Sequence, residues 1–394
     1  MRKQLLLGTT ALMVGAIAVP NLAVAEEEPL RLDVRGYKNE FFGIGNADDS
    51  AGTDYGNTNI FNDGEIHFRG ETSLDNGLTV GVQVELEAFQ SGDQVDESYA
   101  YIQGDFGKVV VGNENLANYN TFWGVTAPAV GTPINSGWIT VFVPSVAGFG
   151  SAGTFRRPLL TTNLDVGNDE NQISYYSPRF AGFQFTGGFA PAVADGGAGQ
   201  AAQANEGTQY HNALGVGFNF SNSFNGIDLG FAAGYNRGSV DTAREAAGAD
   251  DFEQIKVGVN IGVAGFSIGG SYANELEGKV NGPSAAALTI TGGAPAVTPA
   301  GAANTTSSEG QSYDIGASYS TGPWGASVTY FHGEQEDSIA TAGDDETTAF
   351  VGAVSYALGP GITTSFSLMY GKFEEEGGAD ADATVGILGI AISF

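Results

Sequence analysis

The sequence predicts an all-β protein, a transmembrane antiparallel β-barrel of about sixteen strands. Three observations predict it: side chains alternate polar and apolar along most of the chain, connections between alternating segments are short and long in turn, and the chain opens with an export signal. Alternation at period two marks strands, because successive side chains point to opposite faces. A soluble sandwich also alternates, but it does not sort its loops so strictly by length.

Residues 1–25 carry the export signal. Arg2 and Lys3 form a basic start, Leu5 to Val19 an apolar run, and Ala23-Val24-Ala25 a small-residue cleavage site after Ala25. The apolar run is short of the ~20 residues that a spanning helix needs. Residues 26–394 are expected to form one barrel domain.

The hairpin from Glu65 to Phe89 shows the pattern most clearly. Leu78, Val80, Val82, Val84, Leu86 and Ala88 form one face; Thr79, Gly81, Gln83, Glu85 and Glu87 form the other. Asp75-Asn76-Gly77 supplies the turn, with glycine suited to a positive φ. Toward lipid the apolar row is favourable, and the polar row then lines a lumen.

In order, strands are expected near 31–45, 61–74, 78–90, 96–104 and 108–113, then 171–177, 182–190, 208–220, 226–237 and 252–263. The last six lie near 265–275, 311–320, 323–333, 346–357, 361–373 and 382–394. Ile255, Val257, Val259 and Ile261 alternate with Gln254, Lys256, Gly258 and Asn260, and Ile227, Leu229 and Phe231 repeat the pattern. Tyr175, Phe180, Phe183, Phe220, Phe224, Tyr330 and Phe331 fall near strand ends, as interfacial aromatic girdles do. Gly, Ser, Thr, Asn and Gln are expected to dominate the inward row. Residues 276–310, rich in Ala, Gly, Pro, Thr and Ser, read as a flexible external loop.

Composition removes other classes. The chain has 15 basic and 45 acidic residues, a net charge of −30, so binding of nucleic acid through its phosphates is excluded as a role. The segment 1–25 contributes two of the bases and no acid, leaving the remainder more acidic still. Cysteine is absent, so no disulfide scaffold or thiolate chemistry is available. Only His67, His211 and His332 could serve as a catalytic base, and they fall on distant strands. No enzyme activity and no cofactor are expected. A structural Ca²⁺ becomes an option only where Asp165, Asp169 and Glu170 converge.

Three stretches carry a family resemblance: Phe68-Arg69-Gly70-Glu71-Thr72 running into Asp75-Asn76-Gly77-Leu78, Tyr99 through Gly112 around Gly104-Asp105-Phe106-Gly107, and Ile173 through Phe183 around Ser177-Pro178. With the terminal strand ending on Phe394, their order and spacing resemble those of Gram-negative general diffusion porins. The resemblance implies passive diffusion of ions and small hydrophilic solutes across the outer membrane, and a homotrimer. It implies contact with outer-membrane lipid and lipopolysaccharide, and capture by the outer-membrane assembly machinery through Phe394. It also implies that the third external loop folds into the lumen.

Residues 114–170 form a suitable third loop, far longer than a connector needs. Trp123, Trp138, Phe142, Phe149 and Phe155 supply apolar surface for packing inward. The same segment carries Glu114, Arg156, Arg157, Asp165, Asp169 and Glu170, expected constriction charges. On the wall, Arg35, His67, Arg69, Glu71 and Glu85 hold inward parity. Asn113 stands where the family often has an arginine, which weakens the basic wall and favours cations. A substrate-specific channel on the same barrel, with loop aromatics as a sugar slide, is the alternative.

Overall fold

The computed structural model describes residues 31–47, 56–88, 95–135, 157–167, 169–193, 210–240, 245, 249–278, 288–291, 294–297, 307–336, 343–376, 378 and 380–394. The export signal with Ala25, Arg156, Trp138, Phe142, Phe149 and Phe155 lie outside the described residues.

The strands are β1 (Arg31–Ala47), β2 (Thr58–Ser73), β3 (Thr79–Leu86), β4 (Ser98–Gly104), β5 (Gly107–Glu114) and β6 (Glu170–Tyr176). Next come β7 (Phe183–Val193), β8 (Tyr210–Phe224), β9 (Ile227–Ser239), β10 (Phe252–Val263), β11 (Phe266–Glu277), β12 (Leu288–Thr291) and β13 (Ala294–Val297). The last are β14 (Gly310–Thr321), β15 (Trp324–Gln335), β16 (Asp345–Gly359), β17 (Ile362–Glu374) and β18 (Ala381–Ser393). Sixteen of them close into one barrel, each paired with its sequence neighbours, and β18 pairs antiparallel with β1. Closure matters physically, because an open sheet edge in hydrocarbon leaves backbone groups unbonded. The seal continues to the last residue: the Gly36 and Phe394 backbones exchange two 3.0 Å hydrogen bonds.

β12 and β13 pair only with each other, between β11 and β14. The segment 276–310 therefore holds a short hairpin where the composition suggested an irregular loop. Its Leu-Thr-Ile-Thr run has the β-branched alternation of a strand, a local signal hidden by the surrounding Ala and Gly.

The facing assignment follows from exposure. On β10, Ile255, Val257, Val259 and Ile261 are exposed while Gln254 and Lys256 are buried. A soluble protein would reverse this, so the apolar row faces lipid and the polar row faces inward. Turn chemistry agrees with the sequence. In the β2–β3 turn Gly77 sits at φ +81°, and the Leu74 N–H donates to Leu78 O at 2.7 Å.

Two corrections concern side chains. Phe331, expected in an aromatic girdle, is fully buried on the inner row of β15. The inner rows of β15–β18 are only in part small and polar: Ser327, Thr329, Thr347 and Ser367 fit the expectation, but larger apolar residues lie among them. Phe331, Val351, Met369, Phe373, Val385 and Ile387 form an apolar cluster with Ile134 and Leu159 of the 114–170 segment. Where these apolar residues stand, the described part of the segment, not water, covers the inner face.

Candidate functional site

The site is what the described part of the 114–170 segment, residues 114–135, 157–167 and 169–170, leaves of the interior. Beyond β5 the chain forms a short helix α1 (Ala117–Asn120) and a 3₁₀ turn at Trp123–Val125. It then follows the inward row of one strand after another. Asn118 Nδ2 donates to Asn236 Oδ1 on β9 at 2.6 Å. The Ala127 N–H donates to Asp314 Oδ1 on β14 at 3.1 Å, and the Val130 N–H to Ser327 Oγ on β15 at 3.1 Å. The Thr132 N–H reaches Ser367 Oγ on β17 at 3.0 Å.

The returning arm is held as firmly. Lys256 Nζ on β10 donates to Asn163 Oδ1 and to Leu164 O, both at 2.8 Å, and lies 5.5 and 5.2 Å from the ring centres of Tyr119 and Phe122. Thr162 Oγ1 pairs with Ser271 Oγ on β11 at 2.7 Å, and Ser312 Oγ donates to Thr161 O at 2.8 Å. Arg157 pairs with Glu275 on β11, whose side chain is 0 % exposed, and donates to Ser308 Oγ at 2.5 Å.

Glycines on the inner row admit this approach. A Cβ on Gly258 would lie 2.6 Å from Val125 Cγ2, and one on Gly217 would lie 2.6 Å from Asn118 Cβ. Leu116 and Val166 meanwhile join Ala190, Tyr210, Ala213 and Phe252 in a second buried cluster at the root of the segment. The described part of the segment thus lies against the inner rows of the barrel strands from β8 to β11 and from β14 to β17.

The described residues leave the opposite sector uncovered. A cavity of about 760 Å³ runs along β2 to β7. It is lined from the short turns at Asp105 and Ser177–Arg179 up to Glu97, Glu114 and Asn120. Its acids are Glu85, Glu97, Glu114 and Asp105, its bases Lys108 and Arg179, and His67 lies among them. Tyr99 and Tyr176 add hydroxyls, and Lys108 Nζ sits 4.9 Å from the centre of the Tyr101 ring.

The sequence-predicted residues separate into groups. His67 and Glu85 lie together on this wall, with Glu65 beside them. Arg69 pairs with Glu71 and donates to Tyr101 Oη at 2.8 Å, four residues from the end of β2. Arg35 is half exposed and pairs with Asp33 at 2.9 Å, below the point where β18 joins β1. The polarity expected between wall and loop is reversed at Arg157, where a loop base meets the wall acid Glu275.

Glu114 and Glu170 face each other in register at the mouth of the segment, both buried. Glu114 Oε1 accepts from Asn120 Nδ2 at 2.9 Å and from the Asn115 N–H at 3.1 Å. Asn113, in the position often taken by arginine, donates to Asp169 O at 2.8 Å and so ties down the returning arm.

Asp165, Asp169 and Glu170 do not converge. Asp165 is fully buried and accepts from the N–H groups of Val166 and Gly167 at 2.8 and 3.3 Å, within its own turn. Asp169 instead stands with Asp96 and Glu97, and Asn115 Nδ2 bridges Glu97 Oε1 and Asp169 Oδ1 at 2.9 and 3.0 Å. Burial, followed by the neighbouring charges of Glu114, Glu85 and Asp169, pushes the Glu97 carboxyl well above its ordinary range.

Lys256, Lys108, Glu275 and Glu97 carry roles that sequence reasoning had not assigned. Lys256 was visible as the lone cation on the inward row of an otherwise apolar–polar strand.

A family model described as Gram-negative porin matches residues 8–376. The fold resembles that of Salmonella typhi OmpF in complex with daunomycin, at 16 % identity and TM-score 0.57, covering 93 % of this chain and 100 % of that one. It also resembles in-vitro folded OmpT of Vibrio cholerae in its trimer form, at 14 % identity and TM-score 0.55, covering 93 % and 100 %. The outer membrane channel DcaP of Acinetobacter baumannii aligns at 11 % identity and TM-score 0.56, covering 93 % and 97 %. At these identities the likeness is one of fold. A comparison with curated proteins returns no match.

Proposed function

The chain belongs to the Gram-negative porin family of outer-membrane channels, and on that premise we propose that it is a general, cation-preferring pore for ions and small hydrophilic solutes. Family and fold point to a channel and away from an enzyme. One observation carries the finer reading: the cavity along β2–β7 is lined by Glu85, Glu97, Glu114 and Asp105 against Lys108 and Arg179. An excess of acid on a low-dielectric wall raises the local concentration of cations.

In this reading residues 114–135 and 157–167 narrow the passage from the side opposite β2–β7. Solutes pass along the β2–β7 wall, where Tyr99, Gln83 and Asn120 offer exchangeable hydrogen bonds. No covalent step is involved. Residues 1–25 direct export and are removed after Ala25. The apolar outer row meets lipid and lipopolysaccharide, and Phe394 is presented to the assembly machinery. Three copies pack through their barrel walls, an assembly favoured by the family and by the trimer form of the OmpT relative.

Single-channel recording of the purified protein, followed by sugar addition, tests this. Large conductance steps in threes, unaffected by sugars, are expected. Small steps blocked by one sugar would indicate a substrate-specific channel instead, with Trp123, which is 38 % exposed and packs edge-on against Tyr119, as the first residue to substitute.

A further inference from the structure

On the β2–β3 wall, His67 faces two carboxylates at once. Its Nε2 lies 2.7 Å from Glu65 Oε2 and 3.1 Å from Glu85 Oε2. The arrangement is built by strand geometry. Glu65 and His67 are two apart on β2 and share its inward face, and Glu85 is the direct cross-strand partner of His67 on β3.

The far oxygen of each carboxylate is occupied. Tyr37 Oη donates to Glu65 Oε1 at 2.8 Å, and Tyr99 Oη donates to Glu85 Oε1 at 2.7 Å, with Gln83 Nε2 bonded to that same atom. Each carboxylate is therefore turned so that its other oxygen points at the imidazole. Hydrogen-bonded ligands of this kind are what orients the donors of metal sites.

We propose that Glu65, His67 and Glu85 form a binding site for a divalent transition cation of the zinc class on the lumen wall. The three donor atoms lie within 4.8 Å of one another. Zinc bonds of ~2.0–2.2 Å to N and O in tetrahedral geometry need donors ~3.3–3.5 Å apart, so the His67–Glu85 edge of 3.1 Å is close to that span and the His67–Glu65 edge of 2.7 Å opens by roughly 0.6–0.8 Å, a small side-chain rotation. An imidazole with two carboxylates suits zinc better than Mg²⁺ or Ca²⁺, which take oxygen donors. Charge agrees: a divalent ion neutralises both carboxylates, whereas the imidazolium proton neutralises one. His67 and Glu85 border the open cavity, which leaves a fourth position for water and a path for entry.

The proposal rests on the channel reading for its consequence, because an ion bound there removes negative charge from the pore wall. The test is titration calorimetry of the intact protein in detergent with ZnCl₂, paired with bilayer conductance before and after Zn²⁺. One Zn²⁺ per chain is expected, with weaker cation preference on binding and no comparable effect of Mg²⁺. H67Q and E85Q, checked for barrel folding by heat-modifiable gel migration, should each weaken binding by ~10-fold or more, and Y99F, which keeps every ligand, should weaken it by about 10-fold. His332→Gln, on β15, should bind as the parent does. Zn²⁺ binding unchanged in H67Q and E85Q, or absent from a protein that still conducts, would overturn the site and leave the channel reading intact.

Discussion

Lys256 on the barrel wall and Asn163 on the inserted segment share a 2.8 Å hydrogen bond, and the same ammonium donates to Leu164 O. All three residues are buried, so this single cation fastens the returning arm of the segment to β10. In Lys256→Met the Asn163 Oδ1 acceptor loses this donor at a cost of about 1–3 kcal/mol, while Leu164 O still accepts from Asn236 Nδ2 at 3.2 Å. The expected outcome is an intact barrel with a looser segment, seen as faster proteolysis between residues 114 and 170 and noisier single-channel current. Unchanged protection and current would remove the anchoring role.

Arg157 and Glu275 form a buried pair whose acid has no exposure. Removing the base alone leaves a buried carboxylate uncompensated, which costs about 3–5 kcal/mol. Arg157→Met is expected to lower the urea midpoint of unfolding, and adding Glu275→Gln should restore most of the loss. Equal losses in the single and double variants would refute the coupling.

The Gly258 position tests the docking of the segment by steric means. A Cβ there already falls 2.6 Å from Val125 Cγ2. Gly258→Leu should displace the Trp123–Val125 turn toward the open side and reduce conductance while the barrel still folds. A conductance equal to that of the parent would mean that the turn does not sit there in the membrane.

Much of this molecule was legible in the sequence. Period-two alternation located the sixteen barrel strands, because lipid outside and polar groups inside enforce it at every strand. The length of 114–170 marked it as more than a connector, and parity alone put His67 and Glu85 on one face of their strands. The pairings of the segment were not legible. Which wall residue meets Arg157 or Lys256 depends on a path that crosses several strands, and no local pattern encodes it. Parity gives the face of a residue and not its height, so it did not foretell that Arg69 pairs with Glu71 and Tyr101. The apolar inner rows of β16–β18 did leave a signal, in runs such as Ala349 to Val354 that are apolar on both faces.

Glu97 gives the pore a pH dependence. Its carboxyl ionises at a pH above the ordinary glutamate value of ~4.3, because burial and the nearby Glu114, Glu85 and Asp169 disfavour the charge. Below that raised value the group is neutral, and above it one more negative charge borders the cavity. Cation preference is therefore expected to rise with pH, and Glu97→Gln should hold the channel near its low-pH preference throughout. A parallel pH profile in the variant would assign the titration to another group.

The reversal potential across a bilayer under a KCl gradient tests most directly whether the β2–β7 wall sets the selectivity. The parent channel is expected to favour K⁺. Lys108→Glu, which changes a base lining the cavity, should raise that preference more than Arg69→Glu, whose side chain lies with Glu71 and Tyr101. An anion-favouring parent, or a Lys108→Glu channel with an unshifted reversal potential, would contradict the reading.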